Sequence, residues 1–154
     1  HNSVAKVYEE NKETLEIFEC LDEFSDTQNF CDHYGFDIED SCNAILIKAK
    51  KPEEFYTMFC VLGANRLDVN HKAKEAMGAK RVSFASREEA EAVTGQIYGG
   101  ISPLGLPENI KVYMDKNVTD REKLFIGAGN RVSKFFLSPE TLIDLSSAKV
   151  LDLT

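Results

Sequence analysis

The sequence predicts an α/β or α+β domain organised around a mixed β-sheet. Two observations carry this prediction. Apolar runs of strand length recur through the chain, and helix-capping residues stand between them, so that paired strands alternate with single helices. The length of 154 residues suits one folding unit, and no repeat, low-complexity tract or linker divides it. We therefore expect a single domain over residues 1–154.

The elements of the first half follow from apolar run length and from capping residues. An aspartate can accept the free amides at a helix start, and a glycine can take the left-handed conformation that ends a helix. In order, the predictions are a polar helix over 2–12, a short strand over 15–18, a helix over 27–34 capped by Asp26 and ended by Gly35, buried strands over 44–47 and 55–62, and a helix that begins after Asp68 and ends at Gly78.

The second half uses the same signals, with a capping box and a proline in addition. In a capping box, a serine and a glutamate three residues later each accept the other's backbone amide, and proline suits the first turn of a helix. In order, the predictions are a strand over 81–84, a helix over 87–94 opened by Ser86 and Glu89 and closed by Gly95, a glycine-rich loop over 95–107, strands over 110–114, 123–127 and 134–137, a helix that begins over 138–141 with Pro139 in its first position, and a last strand over 149–153.

The charge distribution argues against broad affinity for nucleic acid. Residues 1–62 hold 14 acidic and 5 basic side chains, whereas residues 63–154 hold 12 and 13. Because lysine and arginine provide most phosphate contacts, only the C-terminal part suits contact with one end of an RNA. No apolar stretch approaches the roughly 20 residues of a membrane span, and no signal peptide opens the chain. We expect a cytoplasmic protein with neither DNA nor membrane as a partner.

Cysteine and histidine spacing predicts no metal site. The four cysteines contain no CxxC pair, and the three histidines form no HExxH pair. We expect reduced thiols, no metal and no cofactor. His1 stands where a start methionine would be, and we expect it to be a cut edge or a tag remnant without a functional role.

The most informative segment runs from Thr94 to Pro107 and holds four of the nine glycines and two of the four prolines. Glycine allows backbone to approach a ligand closely and proline fixes the path, so the loop can present main-chain N–H groups to a carbonyl or an anion. It is not a phosphate-binding P-loop, because Ile101 and Ser102 stand where lysine and serine or threonine are required. A long hairpin connection is the alternative interpretation.

A second glycine-rich stretch, GAGNR over 127–131, follows a predicted strand. It begins like the dinucleotide-binding GxGxxG motif, but Val132 occupies the third glycine position. Two such stretches after strands predict one concave site walled by backbone.

These two stretches and their flanking motifs resemble the YbaK-type domain of the prolyl-tRNA-synthetase editing superfamily. The resemblance covers roughly residues 10–153, and its most specific part is the GGISP loop together with the later glycine–arginine turn. The motifs, in order, are GANRLD over 63–68, GAKRV over 78–82, TG over 94–95, GGISPLG over 99–105, VYMD over 112–115 and GAGNR over 127–131.

The resemblance implies a mixed, barrel-like sheet with flanking helices, and an enzyme that hydrolyses the ester between a wrong amino acid and the 3′ end of a tRNA. The family's GxxxP loop corresponds to Gly99, Gly100, Ile101, Ser102 and Pro103, whose backbone would hold the aminoacyl carbonyl. Water makes the attack in this family, no metal or other cofactor takes part, and in several members the 2′-hydroxyl of the terminal adenosine helps.

One position departs from the family pattern. Characterised members carry a lysine at the start of the first long strand, where this chain has Asn43, which forms hydrogen bonds but has no charge. Lys48 does not compensate, because it lies on the opposite face of an extended strand. Lys134 stands where some members have an acidic residue, and it restores a positive charge if both positions face one cavity. We expect Asn43 in the catalytic site, with Arg131, Lys134 and Gly129 binding substrate.

Three functions stay open as alternatives. The first is a free-standing deacylase that clears misacylated tRNA in trans. The second, motivated by Asn43, is a module that binds tRNA or an aminoacyl ligand with weak or no catalysis, and the third is a hydrolase of small aminoacyl or amide substrates. In the first case, Gly99→Val or Gly100→Val is expected to block activity by filling the cavity.

Three further side chains could take part in chemistry: Cys42, His33 and Arg66. We expect Cys42 and His33 to serve packing or surface roles, because neither has a motif partner. Arg66 is a further candidate for phosphate contact.

Overall fold

The computed structural model describes residues 2–154, so His1 and its expected lack of a role lie outside the described residues. Five α-helices and eight strands are present in this range. The helices are α1 Asn2–Glu10, α2 Thr27–Tyr34, α3 Lys74–Met77, α4 Arg87–Thr94 and α5 Pro139–Ser146. The strands are β1 Glu16–Glu19, β2 Cys42–Lys51, β3 Phe55–Leu62, β4 Arg81–Phe84, β5 Lys111–Asp115, β6 Leu124–Gly127, β7 Ser133–Leu137 and β8 Lys149–Leu151.

The strands form two sheets, which confirms the α/β class but corrects the barrel-like, closed arrangement. An antiparallel three-stranded sheet has the order β1-β7-β6, and a mixed five-stranded sheet has the order β4-β2-β3-β5-β8. Within residues 2–154 the sheets are joined by a single bridge, between Ser41 and Phe125. Along β2, β4 pairs only with the second half, from Ile47 to Lys51, and no ladder among the described residues joins the first half of β2 to β6, so the two sheets do not close into a barrel.

Local capping signals give helix ends that match the sequence predictions. The Asp26 carboxylate accepts the Asn29 amide at the start of α2, and Gly35 ends that helix at a φ of 80°. Both halves of the capping box between Ser86 and Glu89 are formed at the start of α4. The predicted bounds of α2, α4, β3 and β4 are confirmed as stated.

Three features differ from the prediction because they depend on contacts between distant segments. β2 extends beyond 44–47 because it pairs with β3 along its length and with β4 at its end. The helix after Asp68 starts as a π-helical turn, Val69–Ala73, before α3. Short 3₁₀ turns over 22–24, 38–40 and 116–120 were not predicted at all.

The two faces of the five-stranded sheet bury different cores. On β2 and β3, alternating residues such as Leu46 and Met58 join the inner residues of the three-stranded sheet, among them Ile126 and Phe135. Residues of the opposite parity, such as Phe59, pack instead under the π turn and α3. This alternation follows the two-residue period of a strand, and it sets the start of β2 beside the smaller sheet.

An acidic anchor ties α4 to the large sheet and predicts a pH-dependent stability. Glu89 accepts hydrogen bonds from Lys48 at 2.7 Å, from the Ser86 amide at 3.0 Å and from the Tyr56 hydroxyl at 2.8 Å. These contacts, the lysine first, lower the pKa of Glu89 from 4.5 to about 2. A lowered carboxyl pKa contributes stability that is complete above the unfolded value and disappears as the pH falls towards the folded value.

We therefore expect the free energy of unfolding to fall between pH 4.5 and about 2 less steeply in Glu89→Gln than in the unsubstituted protein. Urea unfolding followed by circular dichroism across this range measures the slopes. The neighbouring Glu88→Gln is the control, since Glu88 lies exposed on the same helix. Equal slopes for Glu89→Gln and the unsubstituted protein would contradict the expectation.

Candidate functional site

A cavity of about 420 Å³ opens where the start of β2 meets the glycine-rich loop and the small sheet. Its wall combines side chains of β2 with backbone from both glycine-rich stretches. The lining residues are Thr27, residues 42–46, Phe84, Ala85, Ala90, residues 98–101, Gly127 and Lys134. Asn43, Gly99, Gly100 and Ile101 are therefore brought together with Lys134 around one hollow.

Backbone hydrogen bonds join the two glycine-rich stretches into one wall. The Gly129 amide donates to the Gly100 carbonyl at 2.7 Å, and the Ile97 amide donates to the Gly129 carbonyl at 3.1 Å. Gly129 has a φ of 91°, which glycine adopts without strain. Gly129 therefore fastens the wall from behind, and it is not among the lining residues of the cavity.

The close approach of these segments leaves no room for side chains at two glycines. A Cβ at Gly100 would overlap the carbonyl group of Asn130, and one at Gly127 would lie 2.5 Å from the Ile101 carbonyl oxygen. A Cβ at Gly99 would meet the guanidinium of Arg131. The cavity-filling explanation for Gly99→Val and Gly100→Val is therefore wrong, because both side chains would point into protein rather than into the hollow.

Gln96 holds the shape of the loop, and the sequence reading missed it. This buried side chain accepts the Ser102 amide through Oε1, while Nε2 donates to the carbonyls of Ser102 and Leu104, each at 3.2 Å. Its own amide donates to Thr94 Oγ1 at 3.1 Å. The only sequence signal was a lone glutamine among glycines and prolines, where backbone groups lack strand or helix partners.

Among the loop residues that line the cavity, two backbone amides remain available to a ligand. The Gly100 amide donates to the Ile97 carbonyl at 3.0 Å, and the Ser102 amide is used by Gln96. In the part of the chain that the structure describes, the amides of Gly99 and Ile101 donate to no protein acceptor. Both residues line the cavity, so the loop offers main-chain donors at the hollow.

Asn43 and Lys134 line the same cavity, so the condition for charge compensation is met. Asn43 Oδ1 accepts the Ser41 hydroxyl at 3.4 Å, and the side-chain nitrogen Nδ2 of Asn43 donates to no acceptor within the described residues 2–154. Lys48 is not a lining residue, and its Nζ pairs with Glu89 at 2.7 Å. The cavity therefore combines the Asn43 carboxamide, the Lys134 amine and the backbone of the loop with the polar side chains of Thr27, Cys42 and Tyr98.

Lys134 is a buried cation with little compensation. Its Nζ donates to the Ser25 carbonyl at 2.8 Å and lies 5.3 Å from the centroid of the Phe30 ring. No carboxylate among residues 2–154 lies within ion-pair distance of it. Burial lowers the pKa of Lys134 below its usual value. An amine in this situation is ready to bind a carbonyl or an anion that enters the cavity.

This burial predicts a stability gain on removal of the charge. Lys134→Met is expected to raise the free energy of unfolding at pH 7 by about 1 kcal/mol, because the charged amine is desolvated without an ion-pair partner. Since the unfolded chain binds the proton more tightly, the advantage should shrink as the pH rises towards 10.5. Urea unfolding between pH 7 and 10 measures this difference, with the exposed Lys149→Met as control. A lower stability of Lys134→Met at pH 7 would contradict it.

The remaining predicted site residues occupy supporting positions. Ser102 is fully buried, and its hydroxyl accepts the Leu104 amide at 3.1 Å. Pro103 is also buried, and neither residue lines the cavity. Arg131 lies behind Gly99, where its Nε donates to Asp22 Oδ1 at 3.0 Å.

Cys42 and His33 show no arrangement for catalysis. A hydrogen bond with the Cys60 thiol, together with burial, raises the pKa of the Cys42 thiol well above its usual value, which disfavours a thiolate. The His33 ring stacks on Phe24 with centroids 3.7 Å apart and does not line the cavity. Searched over residues 2–154, no cluster of three or more His, Cys, Asp or Glu residues is placed to hold a metal ion. None of the helices described is both long and apolar enough to span a membrane.

Comparison with known proteins assigns the family. Residues 22–145 match the aminoacyl-tRNA editing domain. A protein of Enterococcus faecalis named as a candidate Cys-tRNA(Pro)/Cys-tRNA(Cys) deacylase is 30% identical over 92 residues, which are 60% of this chain and 56% of the relative. The proline–tRNA ligase of Nautilia profundicola is 33% identical over 106 residues, 68% of this chain and 18% of the ligase. The chain thus spans less than two thirds of either relative.

Solved structures show the same fold. The crystal structure of a candidate trans-editing enzyme for prolyl-tRNA synthetase superposes with a TM-score of 0.84 at 23% identity and covers 100% of this chain and 98% of that one. The cavity between β2 and the glycine-rich loop therefore lies in a fold that such proteins share. On the match over residues 22–145, the chain belongs to the aminoacyl-tRNA editing domain family.

Proposed function

We propose that this protein is a free-standing deacylase that hydrolyses the ester between a wrongly attached amino acid and the terminal adenosine of a tRNA. One observation carries the proposal: Asn43 and the Gly99 and Ile101 amides, none of whose donors is fully used, line a single cavity. The names of two relatives, a deacylase and a trans-editing enzyme, agree with it.

The reaction needs little beyond orientation of the substrate. Water adds to the carbonyl carbon of the ester, and negative charge develops on the carbonyl oxygen. Backbone amides fixed in position stabilise that charge without reorganising, which is the main requirement of such a step. The bond to the ribose oxygen then breaks, the ribose oxygen takes a proton, and the free amino acid and the tRNA leave. In this proposal the Gly99 and Ile101 amides are the donors.

Asn43 and Lys134 would hold the rest of the substrate. The Asn43 carboxamide can donate to the carbonyl or to a ribose hydroxyl, although a neutral donor binds less strongly than the lysine it replaces. The Lys134 amine supplies positive charge from the small sheet to the cavity that Asn43 also lines. Arg131 and Gly129 would act from behind the wall, by fixing Gly99 and Gly100.

The size of the cavity suits a small acyl group on ribose. Its volume of about 420 Å³ is at the lower end of the range for ligand sites. Ala44, Ala85 and Ala90 contribute small apolar side chains to the wall. A relative named for Cys-tRNA makes cysteine the first amino acid to test, followed by alanine and serine.

The proposal is tested with a panel of mischarged tRNAs and three proteins: unsubstituted, Asn43→Lys and Asn43→Ala. We expect the unsubstituted protein to release at least one small amino acid well above the buffer rate. The hydrolysis rate of Asn43→Ala should be about tenfold lower, and that of Asn43→Lys should equal or exceed the rate of the unsubstituted protein. The absence of ester loss above buffer for every amino acid would overturn the proposal.

The second candidate is a module that binds aminoacyl-tRNA without turnover, and the missing charge at Asn43 favours it. In that case the unsubstituted protein binds tRNA without hydrolysis, and Asn43→Lys gains activity. A hydrolase of small neutral esters is separated from both by salt. Turnover of tRNA should fall as salt rises, because phosphate contacts release counterions, whereas turnover of a small neutral ester should change little.

A further inference from the structure

Phe84 lies on a ridge between the cavity and a second depression. It ends the edge strand β4, and 62% of its surface is exposed. It lines the cavity and also a groove of about 700 Å³ whose other walls are residues 66–71 and Thr154. We call this depression the Arg66 groove. Phe84 is the one residue that the cavity and the Arg66 groove have in common.

The Arg66 groove has the chemistry of a nucleic-acid surface in an otherwise acidic protein. Arg66 is exposed, and no carboxylate among residues 2–154 forms an ion pair with it. Asn70 and His71 are exposed at the π turn and offer hydrogen-bonding groups. The one acid of the groove, Asp68, is occupied, because its Oδ1 accepts the His71 amide at 3.2 Å and lies 3.1 Å from His71 Nδ1.

An esterified adenosine in the cavity requires an exit for the rest of the RNA. The nucleotides that precede the terminal adenosine of a tRNA are single-stranded and must cross the rim of the cavity. Proteins bind single strands with aromatic side chains that stack on bases and with cations beside the phosphates. Phe84 and Arg66 offer this pair of groups in sequence, first on the rim and then beyond it.

We propose that the single-stranded 3′ end of the tRNA leaves the cavity across Phe84 and lies in the Arg66 groove, with a base stacked on the Phe84 ring and a phosphate beside Arg66. This inference rests on the proposed function and extends it to the path of the RNA. It assigns to the unusual exposure of Phe84 a role in binding, and it accounts for RNA contact by a protein of net charge −8.

The test measures binding of a labelled ACCA tetranucleotide by fluorescence anisotropy, with no hydrolysis step. Phe84→Ala should weaken binding about tenfold, which is within the range for loss of one stacked base. Arg66→Ala should also weaken binding about tenfold, because a phosphate loses its charged partner. Phe84→Tyr should restore it, because the aromatic face returns. Arg66→Ala should also reduce the salt dependence, by about 0.7 in the slope of log K against log salt.

Phe55→Ala and Lys149→Ala are the matched controls, since both residues are exposed on other strands and outside the cavity and the groove. Both should bind ACCA as the unsubstituted protein does. The substitution Phe84→Ala should weaken binding of the dinucleotide CA less than it weakens binding of ACCA.

Binding separates this inference from the proposed function. Suppose that ACCA binds, that Phe84→Ala and Arg66→Ala bind it more weakly, and that no ester is hydrolysed. The proposed RNA path is then supported, and the proposed deacylase function is contradicted. If esters are hydrolysed but both variants bind ACCA normally, the path is wrong. The path is also overturned if no ACCA binding is detected, or if Tyr98→Ala on the same rim weakens binding while Phe84→Ala does not.

Discussion

Gly100→Ala is expected to destabilise the protein by about 3 kcal/mol and to abolish the proposed deacylation. The added Cβ would overlap the carbonyl group of Asn130, which belongs to backbone and cannot rotate away. The loop must therefore separate from the turn over 127–131, and the hydrogen bond from the Gly129 amide to the Gly100 carbonyl is lost. Urea unfolding and the hydrolysis of the best mischarged tRNA measure the two effects.

Gly78→Ala is the control for Gly100→Ala. Gly78 has a φ of 62°, and a Cβ there would meet nothing within 4 Å, so alanine there suffers only backbone strain, about 1 kcal/mol. Gly100 is not in the left-handed region, so the stability lost in Gly100→Ala would arise from the collision of the Cβ alone. If Gly100→Ala were as stable as Gly78→Ala, the two glycine-rich stretches could not be packed as closely at Gly100 as described.

Gln96→Met is expected to cost about 3 kcal/mol of stability and about a hundredfold in activity. Methionine has similar length but can neither accept the Ser102 amide nor donate to the carbonyls of Ser102 and Leu104. These groups are buried, so each loses its partner without gaining water. The loop would shift by enough to misplace the Gly99 and Ile101 amides.

Hydrogen exchange distinguishes this effect from general destabilisation. The Ser102 amide should exchange much faster in Gln96→Met, whereas amides of β3 should follow the global stability. Gln28→Met is the matched control, because Gln28 is an exposed glutamine on α2 whose side chain donates to Asp32. An unchanged Ser102 exchange rate in Gln96→Met would show that the side chain does not organise the loop.

Helix positions could be predicted because their determinants are local. The Asp26 carboxylate and Gly35 fix both ends of α2 within a ten-residue window, and the capping box at Ser86 does the same for α4. Such contacts are decided by neighbours in sequence, so a reading of the chain is enough to find them.

Sheet architecture could be predicted only in class. Whether β2 pairs with β4 or with β6 depends on segments some forty to eighty residues away, and no local pattern records that choice. The same limit explains the length of β2 and the two separate sheets. The π turn after Asp68 likewise differs from an α-helix by one hydrogen-bond step, which sequence signals do not resolve.

The candidate site was predicted through its motifs, with gaps where packing decides. The meeting of Asn43 with Gly99 and Gly100 was expected from the resemblance, and Lys134 joined them on the condition of a shared cavity. The role of Gln96 could not be predicted from the sequence, because it depends on which backbone carbonyls the folded loop places around the buried side chain. The position of Arg131 behind the loop depends on Asp22, which no motif connects to it.

The wall made by the two glycine-rich stretches has no freedom to vary, because Gly100 and Gly127 each abut a neighbouring carbonyl. Under the proposed function, a change in which acyl group the cavity admits would therefore come from lining side chains and not from these glycines, and Ala44, Ile45 and Ala90 have side chains that can grow or shrink. On that proposal, the glycine wall is a fixed surface for the chemistry, and the side chains of β2 and α4 form an adjustable surface for selectivity. Substitutions meant to adapt the cavity to a larger or smaller aminoacyl group should therefore be made first on β2 and α4, with the glycine-rich loop left unchanged.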